Sequence, residues 1–307
     1  MLPTTLIVIF VFVLGIIIGS FLNVCITRIP EDVSIVSPGS RCPRCLAPIK
    51  PYDNVPVFAW LWLRGKCRNC GLPISPMYPL VELATGLLFV GCFFEFGLTQ
   101  TLVKWLFFTG LIIILTITDL RVRLLPDLVT WPGFALGLLF AAIVPPSGDS
   151  SFLVVSLSLR FFHALPPIRV VGIMDALIGA AFGSLLLWFL AVVYKLVRKR
   201  EGMGLGDVKM MAMAGAFLGL RNTFLTILFG ALLGSIVGIG VVGAMYSSSA
   251  VKGLAERASR RGLGKTNALR WAIASQYQLP LGTFLGVAAL VVMFAFTGFY
   301  YAVPSLR

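Results

Sequence analysis

The chain has 307 residues, of which 58% are hydrophobic and 12% are charged, and its mean hydropathy is +0.96. Soluble domains carry about 25% charged residues, so this composition excludes an ordinary globular protein and indicates a polytopic membrane protein. The net charge of +13 comes from basic residues that lie in loops between apolar segments. That distribution is typical of the positive-inside bias and argues against a nucleic-acid partner.

About 20 apolar residues are needed to cross the hydrocarbon core as a helix. Eight segments approach this length and predict an all-α polytopic protein with about eight transmembrane helices. The first is expected to be a retained span rather than a cleaved signal, because no Lys or Arg precedes it. No internal repeat is evident. The predicted spans are residues 4–27, 79–96, 101–119, 128–144, 172–196, 206–220, 222–245 and 279–301.

Most of the 25 Lys and Arg residues lie in alternate loops. The rich side is predicted to be cytoplasmic, which places both ends of the chain outside. The first cytoplasmic loop, residues 28–78, is large enough for a small domain. The outer loop, residues 145–171, has the Pro-rich composition of an irregular connection. A basic cytoplasmic segment, residues 246–278, could lie on anionic membrane lipid as an amphipathic helix between residues 251 and 274.

Four cysteines in the first loop form two Cys-x-x-Cys pairs, Cys42/Cys45 and Cys67/Cys70, with 21 residues between them. This spacing is typical of a structural tetrahedral zinc site. One zinc ion would tie together a loop that has too few residues for a hydrophobic core. Disulfides or redox thiols are the alternatives, and the predicted cytoplasmic location argues against stable disulfides.

Two aspartates lie at the basic edges of apolar segments. Asp119 ends the third predicted span, where a helix C-terminus disfavours an anion. Asp207 closes the turn Gly204-Leu205-Gly206-Asp207. Carboxylates at membrane depth indicate a functional site, and two at the same depth could share one proton and activate water. The structural alternative is a buried salt bridge with a nearby Arg or Lys.

Structural rather than catalytic roles are expected for the other candidate residues. Asp127, Asp175 and Glu82 lie near span starts, where an acidic residue commonly caps the helix. His163 is expected to be a surface residue of the outer loop, and Cys25 and Cys92 to be packing residues. No Ser-His-Asp, Cys-His or HExxH pattern lies on one side of the membrane, so hydrolysis would have to use carboxylates.

Six sequence stretches, taken in order, resemble the type IV prepilin peptidases, also called prepilin leader peptidases/N-methyltransferases. They begin with Gly19-Ser20-Phe21-Leu22-Asn23-Val24 and Arg28-Ile29-Pro30. The two cysteine pairs and Tyr78-Pro79-Leu80-Val81-Glu82-Leu83 resemble the family's cytoplasmic domain. The remaining stretches are Asp119 with Leu124-Leu125-Pro126-Asp127, Glu201 to Lys209, and Pro280-Leu281-Gly282-Thr283-Phe284-Leu285.

The resemblance implies a GxGD-type membrane aspartic protease with Asp119 and Asp207 as its catalytic pair. Gly204, Gly206 and Asp127 would support the active-site turn. Such an enzyme cuts the basic leader from prepilins or pseudopilins of pilus or secretion systems, after a glycine at the cytoplasmic face of the inner membrane. It then methylates the new N-terminus with S-adenosylmethionine, and Gly65 matches a glycine that the family links to methyl transfer. Residues 79–307 would form a seven-helix protease core.

Two other functions fit part of the pattern. A presenilin-like protease shares the Gly-x-Gly-Asp turn, but it needs neither a tetracysteine domain nor carboxylates at the membrane edge. A transporter with an acidic proton site would favour carboxylates near the midplane and broken helices in paired halves.

Overall fold

The computed structural model describes residues 3–144, 152–162, 167–199, 203–247 and 280–297. Within these ranges the chain is helical, and the pairing between extended segments consists of isolated bridges. The helices are α1 (Thr4–Arg28), α2 (Phe58–Trp62), α3 (Met77–Phe96), α4 (Gln100–Val122), α5 (Asp127–Ile143), α6 (Phe152–Phe162), α7 (Ile168–Arg198), α8 (Leu205–Ser247) and α9 (Leu281–Val292), which continues into a π turn, Met293–Thr297.

Glycines set the closest helix contacts. A Cβ atom placed on Gly15 of α1 would lie 2.7 Å from Gly86 Cα of α3, and one on Gly179 of α7 would lie 2.6 Å from the carbonyl carbon of Gly219 in α8. In a lipid environment helices associate by close packing across small residues rather than by burying apolar surface from water. These pairs, α1 with α3 and α7 with α8, make the most extensive helix contacts of the described chain.

Helix α8 is a hairpin of two antiparallel arms, residues 205–218 and 220–247. A Cβ on Gly183 of α7 would lie 3.0 Å from Met211 O and 2.8 Å from Thr223 Cγ2. In a straight helix those two residues would be about 18 Å apart, so the chain must reverse between them. It reverses at Gly219, whose φ of 74° and ψ of 177° are not helical. Glycine adopts this conformation readily because it has no Cβ.

The hairpin accounts for the predicted sixth and seventh spans. Five helices are long and apolar enough to cross a membrane, with α8 counted once, and two shorter apolar helices cover residues 127–143 and 281–297. With the two arms of α8 counted separately, the structure contains the eight predicted apolar segments. The prediction of an all-α polytopic membrane protein is confirmed.

The prediction of an irregular outer loop is wrong in part. Residues 152–162 form α6, and α7 begins at Ile168, four residues before the predicted start of the fifth span. Of the prolines that suggested an irregular chain, Pro167 is described, and it is the residue before α7. Proline is compatible with a helix start, so Pro167 marks a helix boundary rather than a structureless segment. His163 and residues 248–279, which contain the predicted lipid-surface helix, lie outside the described residues.

Candidate functional site

Asp119 and Asp207 are brought together at the start of α9. Asp119 lies in the last turn of α4, and Asp207 lies in the first turn of α8. An ideal Cβ on Gly282 would lie 3.0 Å from Asp119 Oδ2 and 3.1 Å from Asp207 Oδ1. Because both oxygens lie within 3.1 Å of this Cβ position, the distance between Asp119 Oδ2 and Asp207 Oδ1 is at most the sum of those two distances. This spacing allows one water molecule to contact both carboxylates.

Both carboxylates are shielded from solvent, with Asp119 5% and Asp207 8% exposed. The salt-bridge alternative is not found, because neither aspartate forms an ion pair with a Lys or Arg of the described ranges. A pair of carboxyl groups in a dry site resists double ionisation, since like charges at close range repel strongly at low dielectric. The structure thus brings the two residues into a geometry in which they can share a proton; their catalytic role remains a prediction.

Thr283, the third residue of α9, supplies two hydrogen-bond donors to Asp119. Its backbone N–H donates to Asp119 Oδ2 at 2.6 Å, and its hydroxyl lies 3.0 Å from the same oxygen. The hydroxyl is also 3.2 Å from the carbonyl oxygen of Thr116. The first N–H groups of a helix have no partner within the helix, so α9 begins with a free donor aimed at this carboxylate. Thr283 was not singled out from the sequence, because its partner is distant along the chain.

The Gly204-Leu205-Gly206-Asp207 turn fits closely against the segment between α4 and α5. The backbone N–H of Asp207 donates to Gly204 O at 3.2 Å. A Cβ on Gly206 would lie 2.9 Å from Leu125 Cβ. A larger residue at position 206 would push the turn, and Asp207 with it, away from Asp119. The resemblance implied that Gly206 supports the active-site turn, and the structure identifies Leu125 as its close neighbour.

Asp127 is the first residue of α5, after the N-cap residue Pro126, but among the described residues its side-chain hydrogen bonds do not go to the helix backbone. Its two carboxylate oxygens instead accept hydrogen bonds from Lys209 Nζ, each at 2.7 Å. Because Lys209 follows Asp207 by two residues, this exposed ion pair joins the start of α5 to the first turn of α8. The predicted side-chain cap is therefore wrong, and Asp127 lies beside the turn rather than between the two buried aspartates.

The predicted caps at Asp175 and Glu82 are also wrong, because both side chains reach to other elements. Asp175 Oδ1 accepts the backbone N–H of Leu220 at 3.2 Å and so satisfies the first residue after the α8 reversal. Glu82 Oε2 accepts the backbone N–H of Val57 at 2.7 Å. Both carboxylates are buried, where an unpaired backbone N–H would be costly. Contacts between distant segments of this kind leave no local sequence pattern.

The four cysteines of the first loop form a compact cluster. Their sulfur atoms all lie within 4.8 Å of one another, and the two closest pairs, Cys42–Cys70 and Cys45–Cys67, are 3.9 and 4.0 Å apart. A tetrahedral zinc site with Zn–S bonds of about 2.3 Å requires S–S distances of roughly 3.8 Å. All four are free thiols rather than disulfides. The donor set and its size therefore suit one tetrahedral metal ion.

Polar contacts favour the thiolate form of Cys45 and tie the cluster to the rest of the loop. Hydrogen bonds from the Ala47 backbone and from Asn69 lower the pKa of the Cys45 thiol to about 6. Arg68 donates two hydrogen bonds to Asp53, at 2.7 and 2.8 Å, and holds the pKa of that carboxyl below its usual range. A thiolate is the form that binds a metal.

The two cysteine pairs belong to a short internal repeat that the sequence analysis missed. The stretches Arg41-Cys-Pro-Arg-Cys-Leu-Ala-Pro-Ile49 and Lys66-Cys-Arg-Asn-Cys-Gly-Leu-Pro-Ile74 align without a gap. Each closes with the same bridge, Arg41 to Pro48 and Lys66 to Pro73. The backbone N–H groups of Ile49 and Ile74 donate to Ser40 O and Gly65 O. The common pattern basic-Cys-x-x-Cys-x-x-Pro-Ile was the available signal.

Gly65 has a structural reason to be glycine. Its φ is +68°, and a Cβ there would lie 2.9 Å from the Trp60 ring. Gly65 N–H donates to Trp60 O at 2.9 Å, and the Trp60 indole N–H donates to Ile74 O at 3.2 Å. The residue therefore packs the second knuckle against α2. Its predicted part in cofactor binding stays a prediction, since packing against Trp60 already accounts for a glycine at this position.

Comparison with known proteins covers both parts of the chain. The family model for the bacterial peptidase A24 N-terminal domain matches residues 13–96, which include the cysteine cluster. The model for the type IV leader peptidase family matches residues 106–239, which include both buried aspartates. No solved structure matches.

Several curated relatives carry the name prepilin leader peptidase/N-methyltransferase. The protein from Myxococcus xanthus (strain DK1622) is 43% identical over 231 residues, covering 75% of this chain and 62% of the relative. The protein from Aeromonas hydrophila is 36% identical over 256 residues, covering 76% of this chain and 80% of the relative. The Neisseria gonorrhoeae protein is 34% identical over 251 residues, covering 74% and 79%. These similarities, together with the two family-model matches, show that this chain belongs to the type IV leader peptidase family.

Proposed function

We propose that this protein is a membrane aspartic endopeptidase. It removes the basic leader from prepilins or pseudopilins after a glycine and then N-methylates the new N-terminus. The observation that carries the proposal is the convergence of Asp119 and Asp207 on Gly282 in a buried site. The names of the curated relatives support both activities. The substrates are peptides that begin in the cytoplasm and continue into the membrane, which suits a site at the edge of a helical bundle.

The pair can hydrolyse a peptide bond without a metal or a covalent intermediate. One carboxylate accepts a proton from water as the water oxygen bonds to the scissile carbon, and the other carboxyl group gives its proton to the carbonyl oxygen. When the C–N bond breaks, the first group passes its proton to the leaving amine. The second recovers a proton from the diol hydroxyl. Each turnover consumes one water and returns the pair to its starting protonation.

The active site belongs at the cytoplasmic edge of an inner membrane in this proposal. Asp119 lies in the last turn of α4, followed by Arg121 and Arg123, and Asp207 lies in the first turn of α8, followed by Lys209. Basic residues that flank spans face the cytoplasm. The basic leader of a prepilin would remain on the same side, near anionic lipid and exposed acidic residues such as Glu31 and Asp32.

Zinc is the metal we assign to Cys42, Cys45, Cys67 and Cys70. Four thiolates at tetrahedral spacing are the donor set of closed, structural zinc sites, which keep no open position for substrate. The ion would hold together a loop whose own buried apolar residues are few: Cys42, Val57 and Ala59 are its buried members within residues 29–76. Its contribution is folding of the loop rather than chemistry at the peptide bond.

Methyl transfer would use S-adenosylmethionine, a charged and soluble donor that must reach the new amine from the cytoplasm. The loop of residues 28–78 is the largest described loop on the predicted cytoplasmic side, the side on which the aspartates are also predicted, so it is the best candidate to shape that site. Glu82 and Val57 join this loop to the membrane helices. In this proposal Gly65 contributes by packing the second knuckle on Trp60.

Neither alternative function fits the arrangement as well. A transporter would place its carboxylates near the midplane, on broken helices of paired halves, whereas Asp119 and Asp207 both lie at helix ends. A presenilin-like protease would not require the cysteine cluster.

The proposed function is tested by a two-step assay with purified protein, a prepilin peptide and the methyl donor. The proposal expects loss of the leader, followed by gain of one methyl group at the new N-terminus. An intact prepilin after prolonged incubation with inserted, zinc-loaded protein would contradict it.

A further inference from the structure

We propose that Thr283 is a positioning residue that makes the two aspartates unequal, so that Asp119 is the charged general base and Asp207 carries the shared proton. This inference rests on the proposed peptidase function and specifies how its two carboxyl groups divide the work.

The two carboxylates receive unequal numbers of hydrogen-bond donors. Asp119 Oδ2 receives the Thr283 backbone N–H at 2.6 Å and lies 3.0 Å from the Thr283 hydroxyl. Hydrogen bonds to a carboxylate favour its charged form and are stronger than those between neutral groups. Across the described residues, the Asp207 side chain has one donor, the backbone N–H of Gly204, against two on Asp119. A proton shared by the two groups therefore belongs on Asp207.

The electrostatic surroundings of the two groups also differ. Asp207 lies in the first turn of α8, whereas Asp119 lies in the last turn of α4 and faces the start of α9. The dipoles of the two helix ends next to Asp119 therefore oppose each other, and the difference between the aspartates rests on the Thr283 donors. Arg123, at the end of α4, adds a positive charge that acts on Asp119. The repulsion between the two aspartates acts on both alike, and the nearby Lys209 is already paired with Asp127. The positive charge of Arg123 therefore favours Asp119 as the charged member of the pair.

The Thr283 donors hold Asp119 Oδ2, the oxygen that lies with Asp207 Oδ1 beside Gly282. Water would lose its proton to the Asp119 carboxylate as its oxygen bonds to the scissile carbon, while Asp207 protonates the carbonyl oxygen. On collapse, Asp119 passes that proton to the departing amine and the diol returns one to Asp207. The Thr283 contacts keep the Asp119 carboxylate from rotating during this cycle, because two donors fix its orientation.

The kinetic test compares Thr283→Val, which removes the hydroxyl at nearly constant shape, with Thr283→Ser, which keeps it. A hydrogen bond to a charged group predicts a fall in kcat for leader cleavage of about 10- to 100-fold in Thr283→Val. The KM should change little, and Thr283→Ser should restore most of the rate. Thr226→Val is the matched control, since the Thr226 hydroxyl donates to Asn222 O within its own helix, at 2.8 Å. Methylation of a pre-cleaved pilin peptide should stay normal in all three variants.

The second test does not depend on the fold of a Thr283 variant. Infrared spectra at neutral pH report a protonated carboxyl group through its C=O stretch. The band should persist in Asp119→Asn and disappear in Asp207→Asn. A band in both variants, in neither, or only in Asp207→Asn contradicts the assignment. So does wild-type kcat in folded Thr283→Val. If Asp119→Asn or Asp207→Asn still cleaves prepilin, the peptidase proposal itself fails; if both are inactive and Thr283→Val is normal, only the role of Thr283 is wrong.

Discussion

Gly65 shows how one residue can carry both a structural and a functional interpretation. The resemblance to prepilin peptidases links this position to methyl transfer, so a side chain there would be expected to crowd the cofactor or the amine. The structure adds a nearer neighbour: a Cβ at Gly65 would meet the Trp60 ring at 2.9 Å, and the φ of +68° already disfavours any other residue. Loss of methylation in a Gly65 variant therefore has two possible causes, which an experiment must separate.

Gly65→Ala should weaken the second knuckle and lower methylation more than leader cleavage. The backbone conformation costs about 1–2 kcal/mol for alanine, and contact with Trp60 adds to that cost. Gly71→Ala is the matched control, because Gly71 has a similar φ of +71° but open space at its Cβ. The measurement is the rate at which a chelator removes zinc, together with the two activities. Normal zinc retention with lost methylation would show that Gly65 acts on the cofactor or the amine rather than on Trp60.

Among the elements, α8 looks like one long helix by its residue range, although it is a hairpin of two arms. The first arm begins near Asp207 and ends just before Gly219. The position of the reversal at Gly219 therefore sets the length of the arm that carries Asp207. Asp175 of α7 lies directly against Gly219 and accepts the Leu220 N–H. In lipid, a backbone group freed by a break in a helix must find a partner within the protein. Asp175 supplies it.

Gly219→Ala should destabilise the membrane core by several kcal/mol, on the order of the largest single-residue effects. The new Cβ would need a φ of +74° and would collide with the Asp175 carboxylate. Gly240→Ala and Gly243→Ala, in the second arm, have no neighbour within 4 Å of the added carbon and should be neutral. Thermal unfolding in detergent measures the difference. Equal stability of Gly219→Ala and Gly240→Ala would mean that the reversal does not depend on glycine.

The cysteine-rich loop is expected to bind one zinc ion per chain and to need it for its own fold. Elemental analysis of purified protein should give that stoichiometry, and a Cys42→Ser/Cys67→Ser variant should lose it. Because α1 and α3 pack through glycines on their own, chelation should expose the loop to protease and leave the membrane helices intact. A protein that contains no zinc when reduced and active, or that loses its membrane helices with the metal, contradicts this expectation.

For the whole molecule, composition and local sequence pattern predicted those features that are determined by residues close together in the chain. Span length and hydropathy predicted the apolar segments, and Cys-x-x-Cys spacing predicted the metal-sized cluster. Asp119 and Asp207 were found because a carboxylate at a membrane edge is unusual. The contacts of Thr283, Glu82 and Asp175 were not predicted, since each joins segments far apart in the chain. Helix α6 was missed because the prolines between the predicted fourth and fifth spans were taken as signs of an irregular loop.

The central claim is that Asp119 and Asp207 act as one catalytic unit, and the direct measurement is the cleavage rate of a prepilin by four purified variants. These are Asp119→Asn, Asp207→Asn, the double variant, and Glu95→Gln as a carboxylate-to-amide control at the far end of α3. Groups that act as a unit are not additive. We expect each single variant to lose about 10³-fold or more, the double variant to be no slower than either, and Glu95→Gln to be normal. Substantial cleavage by either single variant, or losses that multiply in the double variant, would contradict the account.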